Sequence, residues 1–103
     1  MPNMRRFELV IEEIAQQDID ESADWYWQIG NRLNARFLAE VRLRLSYISE
    51  NPFLYPIIYR SFHQAVLHKF PYALYYYVSG NQITIIGCLH TARNIDTILQ
   101  ERT

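Results

Sequence analysis

The sequence predicts one α+β domain spanning residues 1–103: a twisted antiparallel sheet with an N-terminal α-helical hairpin on one face, in the order β-α-α-β-β-β-β-α. Three observations carry that prediction. Tyr72–Val78 and Ile83–His90 are two uncharged, apolar-rich runs separated by Gly80-Asn81, a two-residue signal for a β-hairpin turn because both residue types tolerate positive φ. Between Ile14 and Ser49 the apolar residues recur at helical spacing instead. Finally, little more than Gly30-Asn31 separates the two helical stretches, a break short enough to force them antiparallel.

In chain order, Met4–Ile11 alternates, with Phe7, Leu9 and Ile11 on one face and Arg6 and Glu8 on the other, as a half-buried strand does; Val10 breaks the pattern. Ala15, Ile19, Ala23 and Tyr26 form one stripe of the first helix. Asp18, Asp20, Glu21 and Asp24 crowd its earlier turns, where the macrodipole favours negative charge, and Gly30 suits the position just past its end. A second helix is expected from Arg32 to Ser49, with Leu33, Phe37, Val41, Leu45 and Ile48 inward; Asn51-Pro52 stops it. Its polar side carries Arg32, Arg36, Arg42 and Arg44, so charge pairing with the acidic first helix is expected. Ile57–Arg60 reads as a short edge strand and His63–Phe70 as the next one, ending at Pro71. In Tyr72–Val78 both faces are apolar or aromatic: Tyr72, Leu74, Tyr76 and Val78 point one way, Ala73, Tyr75 and Tyr77 the other. Such a strand belongs inside the sheet. The tail from Arg93 to Arg102 fits one short helix with Ile95, Ile98 and Leu99 inward.

Composition narrows the function classes. Half the residues are hydrophobic and 15% aromatic, which is a folding composition and not that of a disordered tail. Ten basic against eleven acidic residues leave a net charge of −1, so no global basic charge argues for nucleic-acid binding. Cys88 is the single cysteine. No intrachain disulfide can form, as suits a reducing compartment. No apolar run reaches signal-peptide or membrane-span length; a cytoplasmic protein without membrane association is expected. His63 and His68, five apart in one strand, face opposite sides, and no other ligand spacing accompanies them, so no metal and no cofactor are expected.

The strand and helical hairpin, followed by Phe70-Pro71-Tyr72, the aromatic strand through Tyr76 and His90-x-x-Arg93, resemble the RelE/ParE superfamily of type II toxin–antitoxin toxins, often labelled plasmid-stabilisation proteins. The resemblance spans nearly the whole chain. It implies a growth-inhibiting toxin neutralised by a cognate antitoxin, whose target is DNA gyrase for ParE-like members or ribosome-bound mRNA for RelE-like endoribonucleases. The chain departs from the family where relatives often carry an arginine pair (here His63 and Gln64), a basic residue after the strand aromatics (here Tyr77), and an acidic residue with proline in the tail (here Asn94-Ile95). Lys69 is the only lysine.

Metal-free RNA cleavage needs a base, an acid and fixed positive charge. His90 can exchange a proton near neutral pH, Arg93 can grip phosphate, and Tyr76 can stack or donate its hydroxyl; these three are the catalytic candidates. Arg60, His63, Lys69 and Tyr77 are the candidates for contacting nucleic acid or another target. The same His90–Arg93 pair equally suits a structural role, fixing the turn after the last strand. The sparse basic and acid–base groups favour ParE-like inhibition of gyrase without catalysis; cleavage of mRNA and a non-toxic binding module are the alternatives. The antitoxin is expected in the apolar groove between hairpin and sheet. Trp25 and Trp27 lie ~200° apart around the first helix, so at least one should be exposed and mark a partner surface.

Overall fold

The computed structural model describes residues 7–30 and 32–103; the Met4–Arg6 part of the expected first strand, and Asn31, lie outside them. The strands are β1 (Glu8–Ile11), β2 (Ile57–Tyr59), β3 (Phe62–Val66), β4 (Tyr72–Ser79) and β5 (Gln82–His90). The helices are α1 (Glu13–Ile29), α2 (Leu33–Glu50) and α3 (Ile95–Glu101). One sheet results, ordered β1-β5-β4-β3-β2.

From β2 to β5 the sheet is the expected antiparallel meander. The turn between β4 and β5 has positive φ at Gly80 alone, +60°, the type II′ pattern. β1 adds a parallel edge, with Leu9 opposite Ile83, so the sheet is mixed. A parallel neighbour requires a long crossover, and the helical hairpin begins it.

β3 is shorter than its sequence suggests, ending at Val66 where the expectation was Phe70. Lys69 takes a φ of +69°, which turns the chain out of the ladder, and the Leu67 N–H closes the loop onto the Tyr72 carbonyl at 2.9 Å. Gly30 is also extended, not left-handed, with its N–H on the Tyr26 carbonyl.

Both sheet faces are covered. Ala15, Ile19, Phe37, Val41 and Ile48 of the hairpin pack on Leu74, Tyr76, Ile83, Ile85 and Cys88. On the other face Ile95 and Leu99 of α3 pack on Ala73, Tyr75, Ile86 and Leu89. The β4 side chains divide between faces as their alternation predicts. In β5 a bulge keeps both faces supplied: Tyr75 pairs with Gly87 but Tyr76 with Ile85, leaving Ile86 extra. That added residue shifts the phase, so Ile83, Ile85 and Cys88 face the hairpin while Ile86 and Leu89 face α3.

The expected charge pairing between the two helices is not formed. Among the described residues the one ion pair joins Asp18 of α1 to Arg102, just beyond α3. Exposed pairs gain too little to hold long side chains in place. The hairpin is instead seated by four rings: Phe37, 0% exposed, lies 5.3 Å from Tyr26, 5.5 Å from Phe70 and 5.4 Å from Tyr72.

Candidate functional site

β1 pairs with β5 only as far as Ile11 opposite Ile85. Beyond that the outer edge of β5 has no neighbouring strand, and unpaired backbone groups there must find other partners. Asp18 and Arg102 supply them. The Cys88 N–H donates to Asp18 Oδ2 at 3.0 Å and Arg102 Nη1 donates to the Ile86 carbonyl at 3.0 Å, while the two side chains join through Nη1–Oδ2 at 2.5 Å and Nη2–Oδ1 at 3.1 Å. The ion pair thus takes the place of a strand at the bulge. Gly87 makes room for it: a Cβ there would stand 2.9 Å from Arg102 Nη1.

Further along this edge a pocket of about 220 Å³ opens between α1 and the end of β5. His90 and Arg93 both line it, so the sequence pairing of these two is realised in space. The turn after β5 is fixed by their own groups: Arg93 N–H donates to the His90 carbonyl at 3.1 Å and Ala92 N–H donates to His90 Nδ1 at 3.0 Å. Since Nδ1 accepts, the proton of the neutral imidazole sits on Nε2. The ring is half-buried against Tyr72, 5.3 Å between centroids. Arg93 is exposed.

The other candidates are not brought to this pocket. Tyr76 is 0% exposed and its hydroxyl donates to the Pro52 carbonyl at 2.6 Å. Burial, and next the nearby Tyr55, push its pKa well above the usual phenol value. Tyr72, which pairs with His90, is four residues away on β4, about 13 Å along the strand. His63, a target-contact candidate, is 6% exposed, stacked on Tyr76 at 4.9 Å with the planes 6° apart. Its Nδ1–H donates to the Tyr55 carbonyl at 2.7 Å. Lys69 lies outside the same strand, because β3 ends at Val66. Arg60 sits in the β2–β3 turn over the Tyr59 ring. Tyr77 belongs to the α3 side, edge-on to Phe62. Replacing Tyr76 by Phe is expected to cost about 1–2 kcal/mol of stability by orphaning the Pro52 carbonyl, read as a lower urea midpoint with an unchanged slope.

Lys69 instead borders a groove of about 550 Å³ between α2 and the β3–β4 turn. Leu33, Ala39 and Phe70 give it apolar walls; Arg36, His68 and Lys69 give it positive charge. Its carboxylate, Glu40, accepts the His68 N–H at 3.0 Å. Leu43 and Tyr47, 43% and 45% exposed, lie four and eight residues beyond Ala39, so the same side of α2 carries an apolar stripe past the groove.

Sequence reasoning missed Asp18 and Arg102. The available signal was a carboxylate at i+3 from Ala15, close to the apolar stripe of α1. Cys88 is buried; burial, and next the Asp18 carboxylate, push its thiol up to about 12, so it is no nucleophile at neutral pH. Both tryptophans are exposed, Trp25 at 55% and Trp27 at 57%.

No family model matches the chain, and no curated protein matches it. Among solved structures, a chain from the "Chromosomal ParDE TA system from P. aeruginosa" superposes with a TM-score of 0.73 at 17% identity, over 82% of this chain and 95% of that one. The fold expected from the RelE/ParE resemblance is therefore the fold observed. No helix among the described residues is long and apolar enough to cross a membrane.

Proposed function

We propose that this chain is the toxin of a toxin–antitoxin module, acting in the cytoplasm as a ParE-like inhibitor of DNA gyrase and silenced by an antitoxin segment bound in the α2 groove. The observation that carries the reading is the shared fold with a chain of a ParDE system over 82% of the sequence. The scatter of the candidate residues favours gyrase over RNA. Only His90 and Arg93 of the three catalytic candidates meet in one pocket, and Tyr76 is sealed in the core, so that set of base, acid and phosphate clamp does not converge. The groove fits an amphipathic helix, its apolar stripe on Leu33, Ala39 and Phe70 and its acidic flank toward Arg36 and Lys69.

Expression alone is expected to arrest growth, and co-expression of the antitoxin to restore it. Ala39→Arg fills the groove from an exposed helical position without disturbing the fold. The variant should still arrest growth but escape rescue, its affinity for the antitoxin falling at least ~10-fold, about 1.4 kcal/mol. Purified toxin should block supercoiling by gyrase. Transcripts cut at defined sites in primer-extension mapping would replace gyrase with mRNA as the target; absence of arrest would leave a binding module.

A further inference from the structure

We infer that the outward face of the helical hairpin is a docking surface for a second copy of this chain. The two copies meet about a two-fold axis parallel to the helices, with Asp20 and Trp27 of each on Arg42 and Ala35 of the other. This inference stands apart from the toxin reading, because it rests on the hairpin alone. Charge asymmetry is its first support. α1 carries Glu13, Asp18, Asp20, Glu21 and Asp24 and no Lys or Arg, whereas α2 carries Arg36, Arg42 and Arg44 against Glu40 and Glu50. Within one copy the opposite signs stay apart. Among the described residues the one ion pair is Asp18–Arg102, Asp20 accepts only the Gln16 amide at 3.0 Å, and Arg42 makes no side-chain hydrogen bond or ion pair.

Spacing is the second support. Ile19 and Ala23 of α1 and Phe37 and Val41 of α2 are buried, whereas Asp20, Trp27, Ala35 and Arg42 are all exposed. Asp20 and Trp27 stand two turns apart and share one side of α1; Ala35 and Arg42 do the same on α2. The two pairs are also level with each other. Trp27 lies two residues before the end of α1 and Ala35 two after the start of α2, while Asp20 lies nine before and Arg42 nine after. The ring contact of Tyr26 with Phe37 at 5.3 Å fixes that alignment. A two-fold axis parallel to the helices keeps every residue at its level and lays α1 antiparallel on α2 of the second copy. Asp20 and Arg42 of both copies then alternate in sign around the axis, and each indole, 57% exposed in the single copy, covers the small Ala35 opposite. A two-fold axis running across the helices would set acid on acid, which like-charge repulsion opposes. The face is limited in size. Helices of 17 and 18 residues, each about 25 Å long and ~10 Å wide, offer on the order of 500 Å² per copy against ~800 Å² in a standard interface. The dimer is therefore a weak one, dissociating in the micromolar range.

The test is sedimentation equilibrium of the purified full chain at low salt, from about 1 to about 500 µM. A concentration-dependent dimer is expected, weakening as salt is added. Asp20→Arg and Arg42→Asp should each weaken self-association about 100-fold, because each variant rings the axis with four like charges. Mixed in equal amounts, the two variants should associate as tightly as the unaltered chain, since a copy with two cations at the axis then meets a copy with two anions. Trp27→Ala should weaken the dimer at least ~10-fold. All three positions are exposed, circular dichroism melts show that each variant is folded, and an unfolded variant could not restore association on mixing. A chain that stays monomeric throughout this range would overturn the inference. So would a dimer indifferent to both charge reversals, which would place the contact on another surface such as the β2 edge, where Ile57 is exposed. Failure of the mixture to associate would overturn the assigned axis. None of these readouts uses growth arrest or an antitoxin, so their failure leaves the proposed function standing.

Discussion

Asp18→Ala is expected to destabilise the fold by about 3 kcal/mol, the lower end of the range for breaking a buried pair, and to lower the thermal midpoint by 10 °C or more. The lower end applies because the Arg102 side chain is 16% exposed and can reach water once freed, whereas Asp18 is at 10%. Two losses combine. Arg102 is left without its counter-ion, and the Cys88 N–H at the unpaired edge of β5 is left without an acceptor. Asp18→Asn should recover part of the loss, because an amide oxygen still accepts from Cys88 while the charge interaction is gone. Arg102→Ala should cost at least as much as Asp18→Ala, since it strands the less exposed carboxylate without its counter-ion and takes the donor from the Ile86 carbonyl, although the bond to Cys88 remains. A double-mutant cycle on the two residues should give a coupling of about 2 kcal/mol. Chemical denaturation of the four proteins measures all of this, and an Asp18→Ala cost below about 1 kcal/mol would mean that the pair does not fasten the edge.

Gly87 belongs to the same device. A Cβ at that position meets the tip of the Arg102 side chain at 2.9 Å and Asp18 Oδ2 at 3.6 Å. Gly87→Ala must push the guanidinium aside, so its cost should disappear in an Arg102→Ala background. The glycine is needed for the close approach of a side chain, a reason that differs from the turn at Gly80, where φ is +60° and the space around the missing Cβ is open.

The division between what was legible in the sequence and what was not follows the range of the forces involved. Alternation in β4, helical spacing in α1 and α2 and the Gly80-Asn81 turn are local patterns, and each element appears where its pattern lies. The parallel pairing of β1 with β5 joins residues more than seventy positions apart, and nothing in either strand's own sequence encodes it. The Asp18–Arg102 pair likewise spans 84 positions. The shortening of β3 was hidden for another reason: Lys69 adopts a left-handed conformation with no glycine or asparagine to announce it. Of the candidate site, His90 and Arg93 were readable together because three residues of turn fix their distance. The burial of the His63 and Tyr76 polar groups was not readable, because it depends on the Tyr55 and Pro52 carbonyls, which satisfy them inside the core.

The junction between hairpin and sheet yields the second large effect. Phe37→Ala should cost about 3–5 kcal/mol, more than any substitution on the surface of either helix. The ring is fully buried and meets Tyr26 within the hairpin and Phe70 and Tyr72 beneath it, at 5.3–5.5 Å. The contacts to Phe70 and Tyr72 are edge-to-face, at 78° and 71°, the arrangement that adds a quadrupole term to burial. Truncation to alanine removes these contacts together and leaves a cavity that three rigid rings cannot easily fill. Phe37→Leu retains much of the volume and should cost about half as much. Because Phe70 walls the α2 groove as well, the same substitution loosens the floor on which a partner helix would dock. Phe37→Ala should therefore weaken antitoxin binding even though Phe37 does not line the groove. If denaturation shows the large loss but the affinity for the antitoxin is unchanged at a temperature where the variant is fully folded, the antitoxin docks elsewhere. An unchanged stability would instead mean that the hairpin is not seated by its aromatic cluster, and the acidic and basic helices would have to be held by the charges that the structure leaves apart.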